Sequence, residues 1–407
     1  MKAKINAVII DSFYIGLIVI IIFVIMELGA RVYLNKYKPS ILDQKKKMIA
    51  YSYFDWSDKY FRDAMKQTDT GNDFLYEPYS LWKNTNKKTE TINIENGYRV
   101  TWTPEQNQNE NDYLILIFGG STAFCIEVPD EFTIPSLISK KLNAHNRQYR
   151  YIVKNYSAPG FSNENEIHLL VDLLRRGERP KAVIFYDGTN DILNKVARGI
   201  PHWQYRLFES IGTRYTVKQS VKQILSRFQL PSLFRHNKES FIQDQSTLKT
   251  NTLSMLQNYS NNVEFVNKLG TVYNFKTFFF WQSDIFSTKK RLTDEENLIK
   301  TRHADLEPAL KITAAAMIDK DFLKKNEIYD IRDSLDSIEE SIFIDPFHIT
   351  SIGNMAVAKS ISLIISKKIF TMPNCAGIAI AYSAHAKGLE KLNSVSSTRP
   401  KKLQEYR

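Results

Sequence analysis

Two cysteines in 407 residues, Cys125 and Cys375, exclude a disulfide scaffold and a thiolate zinc cluster. No segment recurs at a fixed period, and no Pro/Gly-rich linker divides the chain cleanly. His145, His168, His202, His236, His303 and His385 have no metal-ligand spacing with one another or with cysteine, so they read as solvent-facing or packing residues. A single-sign charge is also missing where it would matter. The formal +11 is mostly terminal: residues 1–50 carry eight Lys/Arg against three Asp/Glu, and residues 371–407 carry six against two. The body between them holds 41 against 39. Such a body has no basic stripe to neutralise phosphates, which argues against a nucleic-acid partner.

With 43% hydrophobic and 24% charged residues, the chain can bury a full core. Residues 7–26 carry one charge, Asp11, and Phe13 to Met26 carry none, about one bilayer crossing for a helix. A cleavable signal peptide has a shorter apolar region ending in small residues, whereas this one runs into Glu27 and Arg31. The segment therefore reads as an uncleaved single-pass signal anchor over residues 1–31, with the bilayer as partner, and a buried soluble helix as the plainer alternative. The positive-inside rule sets Lys2 and Lys4 against Arg31, Lys36, Lys38 and Lys45 to Lys47, and read literally it puts the body in the cytoplasm.

Residues 32–112 read as a stem and N-terminal extension. From residue 113 a βαβ rhythm begins. Leu114 to Phe118 reads as a buried strand, Ile134, Leu137, Ile138 and Leu142 follow helical spacing, and Tyr151 to Val153 restarts a strand. Ile167, Leu170, Val171 and Leu174 fall at helical spacing before a third strand, Lys181 to Tyr186, and a fourth at Thr277 to Trp281. A helix closes the body over residues 350–370. This alternation predicts an α/β fold with a central parallel sheet covered on both faces, its site at the carboxyl ends of the strands. Residues 192–257 are polar, aromatic and weakly periodic, and read as a helical insertion or cap. Residues 371–407 read as a basic, disordered tail.

Each strand end carries a cluster of chemical interest. Phe118-Gly-Gly-Ser-Thr122 places a serine on a Gly-rich turn between strand and helix, where its hydroxyl is exposed. Asn155-Tyr-Ser-Ala-Pro-Gly160 offers a glycine N–H that no side chain shields, and in Asp187-Gly-Thr-Asn-Asp191 the amide of Asn190 could donate to the same oxyanion. Asp345-Pro-Phe-His348 spaces a carboxylate and an imidazole so that one orients the other. Taken singly, each is an ordinary turn or a satisfied pair. Cys125 reads as a small buried filler.

Together the four clusters resemble, in order and spacing, the blocks of the SGNH, or GDSL-like, hydrolase superfamily, across residues 76–370. The resemblance implies a three-layer α/β/α fold over 113–370. It also implies Ser121 as nucleophile, Asp345 and His348 as its triad partners, and an oxyanion hole of the Ser121 N–H, Gly160 and Asn190. It implies no cofactor and no metal. Gly120 stands where an Asp is usual, a variant of the membrane-anchored GGST subgroup, and Cys125 stands where that subgroup has a glycine. Tyr76-Glu-Pro-Tyr79, Trp82, Ile92-Asn-Ile94 and Gly97-Tyr-Arg99 are similar to its upstream segment, which reads as an edge hairpin; Arg99 contacting a substrate carboxylate is the sharper alternative. Trp203, Tyr205, Phe208 and Trp281 are candidates for stacking on sugar rings, with core or cap packing the plainer expectation. The implied activity is removal of short acyl groups, acetyl foremost, from an acylated carbohydrate or small ester outside the cytoplasm. An O-acyltransferase on the same triad and a non-catalytic glycan-binding assembly protein are the alternatives.

Overall fold

A computed structural model describes residues 2–37, 40–68, 70–105, 111–145, 149–200 and 244–369. The 371–407 tail, Trp203, Tyr205 and Phe208 lie outside the described residues. The chain divides into two compact units, Met1–Ile361 and Ser362–Arg407. Ser362 onward, as far as described, continues the helix Ser351–Ile369.

The amino-terminal helix α1 (Lys2–Tyr37) contains Phe13–Tyr33, 21 residues long and apolar enough to cross a membrane. Its side chains from Phe13 to Ile22 are all exposed, as a soluble core helix would not leave them. Three short helices follow, α2 (Ile41–Lys46), α3 (Ile49–Ser52) and α4 (Ser57–Met65). Ser40 caps α2 by accepting from the Asp43 N–H while Asp43 reaches back to Ser40, a reciprocal capping box. Ala50, Tyr51, Tyr60 and Phe61 are buried with Ile92 and Ile344, so this stem packs on the body.

Strands β1 (Phe74–Glu77) and β2 (Leu81–Asn84) pair as a separate antiparallel hairpin. The main sheet has eight strands: β3 (Lys87–Lys88), β4 (Asn93–Glu95), β5 (Tyr98–Arg99), β6 (Asn111–Gly119), β7 (Tyr149–Asn155), β8 (Ala182–Asp187), β9 (Lys276–Trp281) and β10 (Ile328–Asp330). Their order is β10-β9-β8-β6-β7-β5-β4-β3, with parallel pairing from β10 through β7 and antiparallel pairing beyond. The parallel core falls where the apolar runs placed it. The 92–99 segment adds an antiparallel edge, its turn made by Asn96 and Gly97, both at positive φ as a tight hairpin requires.

Leu116, Phe118, Val183 and Phe185 share one buried cluster, and Ile115, Ile117 and Ile184, which alternate with them, are equally buried. Both faces of the parallel strands are therefore covered, which is why these strands are apolar throughout. The helices Asn163–Arg175, Gln245–Tyr273 and Glu307–Asp319 cover the first face. At both ends of the 192–257 stretch the chain is scaffold: Ile192, Val196 and Ala197 and then Leu248, Met255 and Leu256 are buried in that same core. Residues 201–243 lie outside the described residues.

One buried ion pair fixes the carboxyl-terminal part of the body. Lys290 Nζ donates to Glu296 Oε2 at 2.7 Å with both side chains fully buried, and Glu296 Oε1 accepts from the backbone of Ile342 (2.8 Å) and Phe343 (3.1 Å). Glu296 thereby ties a helix amino terminus to the strand-like residues just before Asp345. Removing it strands an ammonium and two N–H groups away from water. Glu296→Ala is predicted to cost about 3–5 kcal/mol, read from the shift of the urea unfolding midpoint at unchanged slope.

Candidate active site

The Gly-rich turn after β6 is dictated by its neighbours. A Cβ added at Gly119 would collide with the Tyr186 carbonyl and Ala123, and one at Gly120 with the amide nitrogen of Asn190. This gives a physical reason for glycine at position 120: the Asn190 amide occupies the space a side chain would need. Ser121 opens the short helix α5 (Ser121–Phe124), with Gly120 as its cap. The helix ends at Cys125 in the left-handed region (φ 61°), which a glycine adopts without cost. The thiol earns its place by packing: it is buried, accepts from the Ile134 N–H at 3.2 Å, and burial pushes its pKa up to about 12. A thiol so held is inert, as a filler should be.

Asp345 and His348 sit on a tight loop closed by a bridge between Phe343 and Ile349 and by the Ile344 N–H on the His348 carbonyl at 2.9 Å. Asp345 Oδ1 accepts from the N–H groups of Phe347 and His348, both at 2.9 Å, and Oδ2 meets His348 Nδ1 at 2.6 Å. His348 Nε2 meets Ser121 Oγ at 2.6 Å. Burial opposes ionisation of Asp345, but His348 and the two backbone donors override it and hold the carboxyl well below the usual range. An ionised carboxylate only accepts, so Nδ1 carries the imidazole proton and Nε2 accepts from the serine hydroxyl. Burial also disfavours the imidazolium. The Asp345 carboxylate overrides it, with a smaller push from Glu127, and His348 sits above the ordinary imidazole value.

The remaining sequence-predicted residues lie at the neighbouring strand ends. Asn190 follows β8 and donates from Nδ2 to the Phe161 carbonyl at 2.6 Å. Gly160 precedes Phe161 and takes φ +83°, with the Trp82 ring 3.4 Å from where its Cβ would be. Trp82 Nε1 donates to the Pro159 carbonyl at 3.1 Å, so the hairpin buttresses this turn. Asn190 thus touches both the Gly120 turn and the Gly160 turn.

At two positions the plainer expectation, structural packing, is what the fold shows, and the sharper alternative falls. Arg99 is 2% exposed, and its Nε donates to Asp130 (2.7 Å), its Nη1 to the Cys125 carbonyl (2.8 Å) and its Nη2 to the Val128 carbonyl (2.6 Å). With those donors turned inward it anchors the loop after α5, and it has no reach to a substrate carboxylate. Trp281 is buried against Tyr259 (ring centroids 5.4 Å apart) beneath Gly188, so it packs the core and does not stack on a sugar.

Sequence reading missed two groups. Gln282, directly after β9, accepts from Thr122 Oγ1 at 3.0 Å and donates to Thr189 Oγ1, linking the neighbours of Ser121 and Asn190. Its position after an apolar strand, like the other three clusters, was the available signal. Glu127 lies beside Asp345 and His348. Glu127, Asp345 and His348 are the one set of acidic, histidine or cysteine side chains among the described residues close enough together to share a metal ion. Their donor atoms are already engaged: His348 and Asp345 with each other, and Glu127 with Lys45 and Tyr51.

Behind Asn190 lies a buried acidic cluster. Asp187 accepts from Asn163 Nδ2 at 3.0 Å and from the Tyr259 hydroxyl, and Asp191 accepts from the Asn163 N–H at 3.2 Å. Burial, then the charge of Asp191, pushes Asp187 up to about 7, and burial pushes Glu166 well above the usual range.

No family model matches the chain, and no curated protein does either. Among solved structures it is similar to an acetyl xylan esterase, AlAXEase (14% identity, TM-score 0.34, covering 62% of this chain and 99% of that one). A lipolytic protein of the G-D-S-L family from Veillonella parvula (13%, 0.33, 64% and 98%) and Axe2, an acetylxylan esterase from Geobacillus stearothermophilus (9%, 0.31, 65% and 96%), are similar to the same extent.

A raised carboxyl pKa means that the folded state binds a proton the unfolded chain has already lost. Its contribution to stability is fully present below the unfolded value of about 4 and is lost as pH rises toward the folded value. Urea unfolding between about pH 5 and about pH 8 is predicted to show that decline, and Asp187→Asn, which cannot titrate, to show a shallower one.

Proposed function

We propose that this chain is a membrane-anchored serine esterase of the GGST type that removes short acyl groups, acetyl foremost, from a carbohydrate outside the cytoplasm. The observation that carries the reading is the continuous relay from Asp345 through His348 to Ser121, with both links at 2.6 Å. Ser121, His348 and Asp345 are all partly exposed, so an ester can reach the hydroxyl.

In this reading His348 Nε2 takes the proton as Ser121 Oγ attacks the ester carbonyl. Asp345, ionised throughout, stabilises the imidazolium that forms. The carbonyl oxygen, now negative, is received by the backbone N–H groups of Ser121 and Gly160 and by Asn190. A side-chain amide carries two N–H groups. The one on the Phe161 carbonyl fixes the plane of Asn190, and the other is assigned to the oxyanion. His348 then protonates the departing alcohol, and water, activated by the same nitrogen, releases the acid from Ser121. Each proton passes through one atom, and no step requires a cofactor. The exposed apolar helix Phe13–Tyr33 supports the anchor.

The test is hydrolysis of chromogenic esters of graded acyl length by the full chain in detergent micelles. Acetyl turnover is predicted to exceed that of long acyl chains, and Ser121→Ala to lower kcat at least about 10³-fold. Because His348 must be neutral to act as base, kcat/KM should fall as pH drops through a pKa above the ordinary imidazole value of about 6.5. Undiminished turnover in the serine variant would overturn the reading.

A further inference from the structure

Glu127 is 3% exposed and stands on the loop after α5, a segment the triad itself does not use. One of its carboxylate oxygens, a ring nitrogen of His348 and a carboxylate oxygen of Asp345 all lie within 4.8 Å of one another. A buried carboxylate needs partners. Both of its partners come from the stem: Lys45 Nζ, at the end of α2, meets Oε1, and the Tyr51 hydroxyl, on α3, donates to Oε2. The Tyr60 hydroxyl, on α4, donates to the carbonyl of Ile126, so each stem helix holds this loop at one point.

The stem also reaches the other half of the triad. Its aromatic cluster of Tyr51, Tyr60 and Phe61 packs with Ile344, the residue before Asp345. Glu295 accepts from the Ile49 N–H at 3.0 Å and from Ser341 Oγ at 3.0 Å, stitching α3 to the chain leading into Asp345. Residues close to the membrane helix thus grip both the loop after Ser121 and the approach to His348. A tether that only carried the body would need no buried charge against the imidazole.

We propose that Glu127 is a positioning residue for His348, and that Lys45 and Tyr51 of the stem hold it there, so that the basicity of the triad depends on the docked stem. This rests on the triad reading above. The charged and titratable groups facing His348 are Asp345, Glu127 and Lys45; Tyr51 and Tyr60 face Glu127, with Arg99 and Asp130 behind Tyr60. Glu127 stabilises the imidazolium and Lys45 opposes it. Together they place a dipole against the ring whose ends act with opposite sign.

The opposite signs make the test. His348 is titrated by NMR in the full chain in detergent micelles, labelled at histidine Cε1, with its resonance assigned by its loss in His348→Gln. Glu127→Gln is predicted to lower the His348 pKa and Lys45→Met to raise it, each by about half a unit or more, while Lys45→Arg stays at the wild-type value. The acid limb of kcat/KM for a chromogenic acetyl ester should move in the same directions. If Lys45→Met does not fold, Lys45→Gln tests the same charge. Unchanged values, or shifts of both variants in one direction, overturn the proposal, since a merely structural contact gives no sign-reversed pair. The titration needs no turnover, so absence of esterase activity would count against the function proposed above and leave this result standing.

Discussion

Parallel pairing of β6 with β7 and β8, and of β8 with β9, is the constraint on which the site depends. The register sets Ile117 against Asn155, Gly119 against Tyr186 and Asp187 against Trp281, so adjacent strands stop within a residue or two of one another. Four turns are thereby delivered to one edge, carrying Ser121, Gly160, Asn190 and Gln282. A slip of one residue on any strand would turn its end cluster to the other face. The Asp345–His348 loop does not belong to the sheet, and it is held separately by the Phe343–Ile349 bridge and by Glu296.

Buried charge recurs around this edge, each time with a different effect. Glu296 and Lys290 neutralise one another and fix a loop. Arg99 satisfies three backbone carbonyls and Asp130, which stiffens the segment between Cys125 and Asp130. Glu127, in the middle of that segment, is presented to His348 on a rigid loop and met by the stem. The acids behind Asn190 stay packed because burial favours their neutral forms. These groups cost desolvation, and each offsets it by fixing the position of a residue at the site.

Much of this was legible in the sequence, for reasons of range. The strands announced themselves because burial leaves three to six apolar residues in a row. The Ser121, Asn190 and Asp345–His348 clusters were visible because each is a local turn with its own spacing. Glu127 and Lys45 were not, since they lie 82 positions apart and neither belongs to a motif. Arg99 was ambiguous for the same reason: only the fold brings Asp130 and the Cys125 carbonyl to it. The helix Gln245–Tyr273 was obscured by its polar composition, although Leu248, Met255, Leu256, Tyr259, Val263 and Val266 form one buried stripe along it. Gly120 and Cys125 could be named as departures from a pattern, but their settings, the space taken by the Asn190 amide and the buried pocket that the Cys125 thiol fills at a left-handed helix end, are three-dimensional.

The central claim is that Ser121 is a nucleophile activated by His348. The most direct measurement is covalent labelling of the full chain with a fluorophosphonate, followed by peptide mapping by mass spectrometry, because this reagent needs an activated hydroxyl and no knowledge of the natural substrate. The account predicts a single stoichiometric adduct on the peptide containing Ser121, lost in His348→Gln although the serine remains. An adduct elsewhere, or labelling of Ser121 that is indifferent to His348, would contradict it.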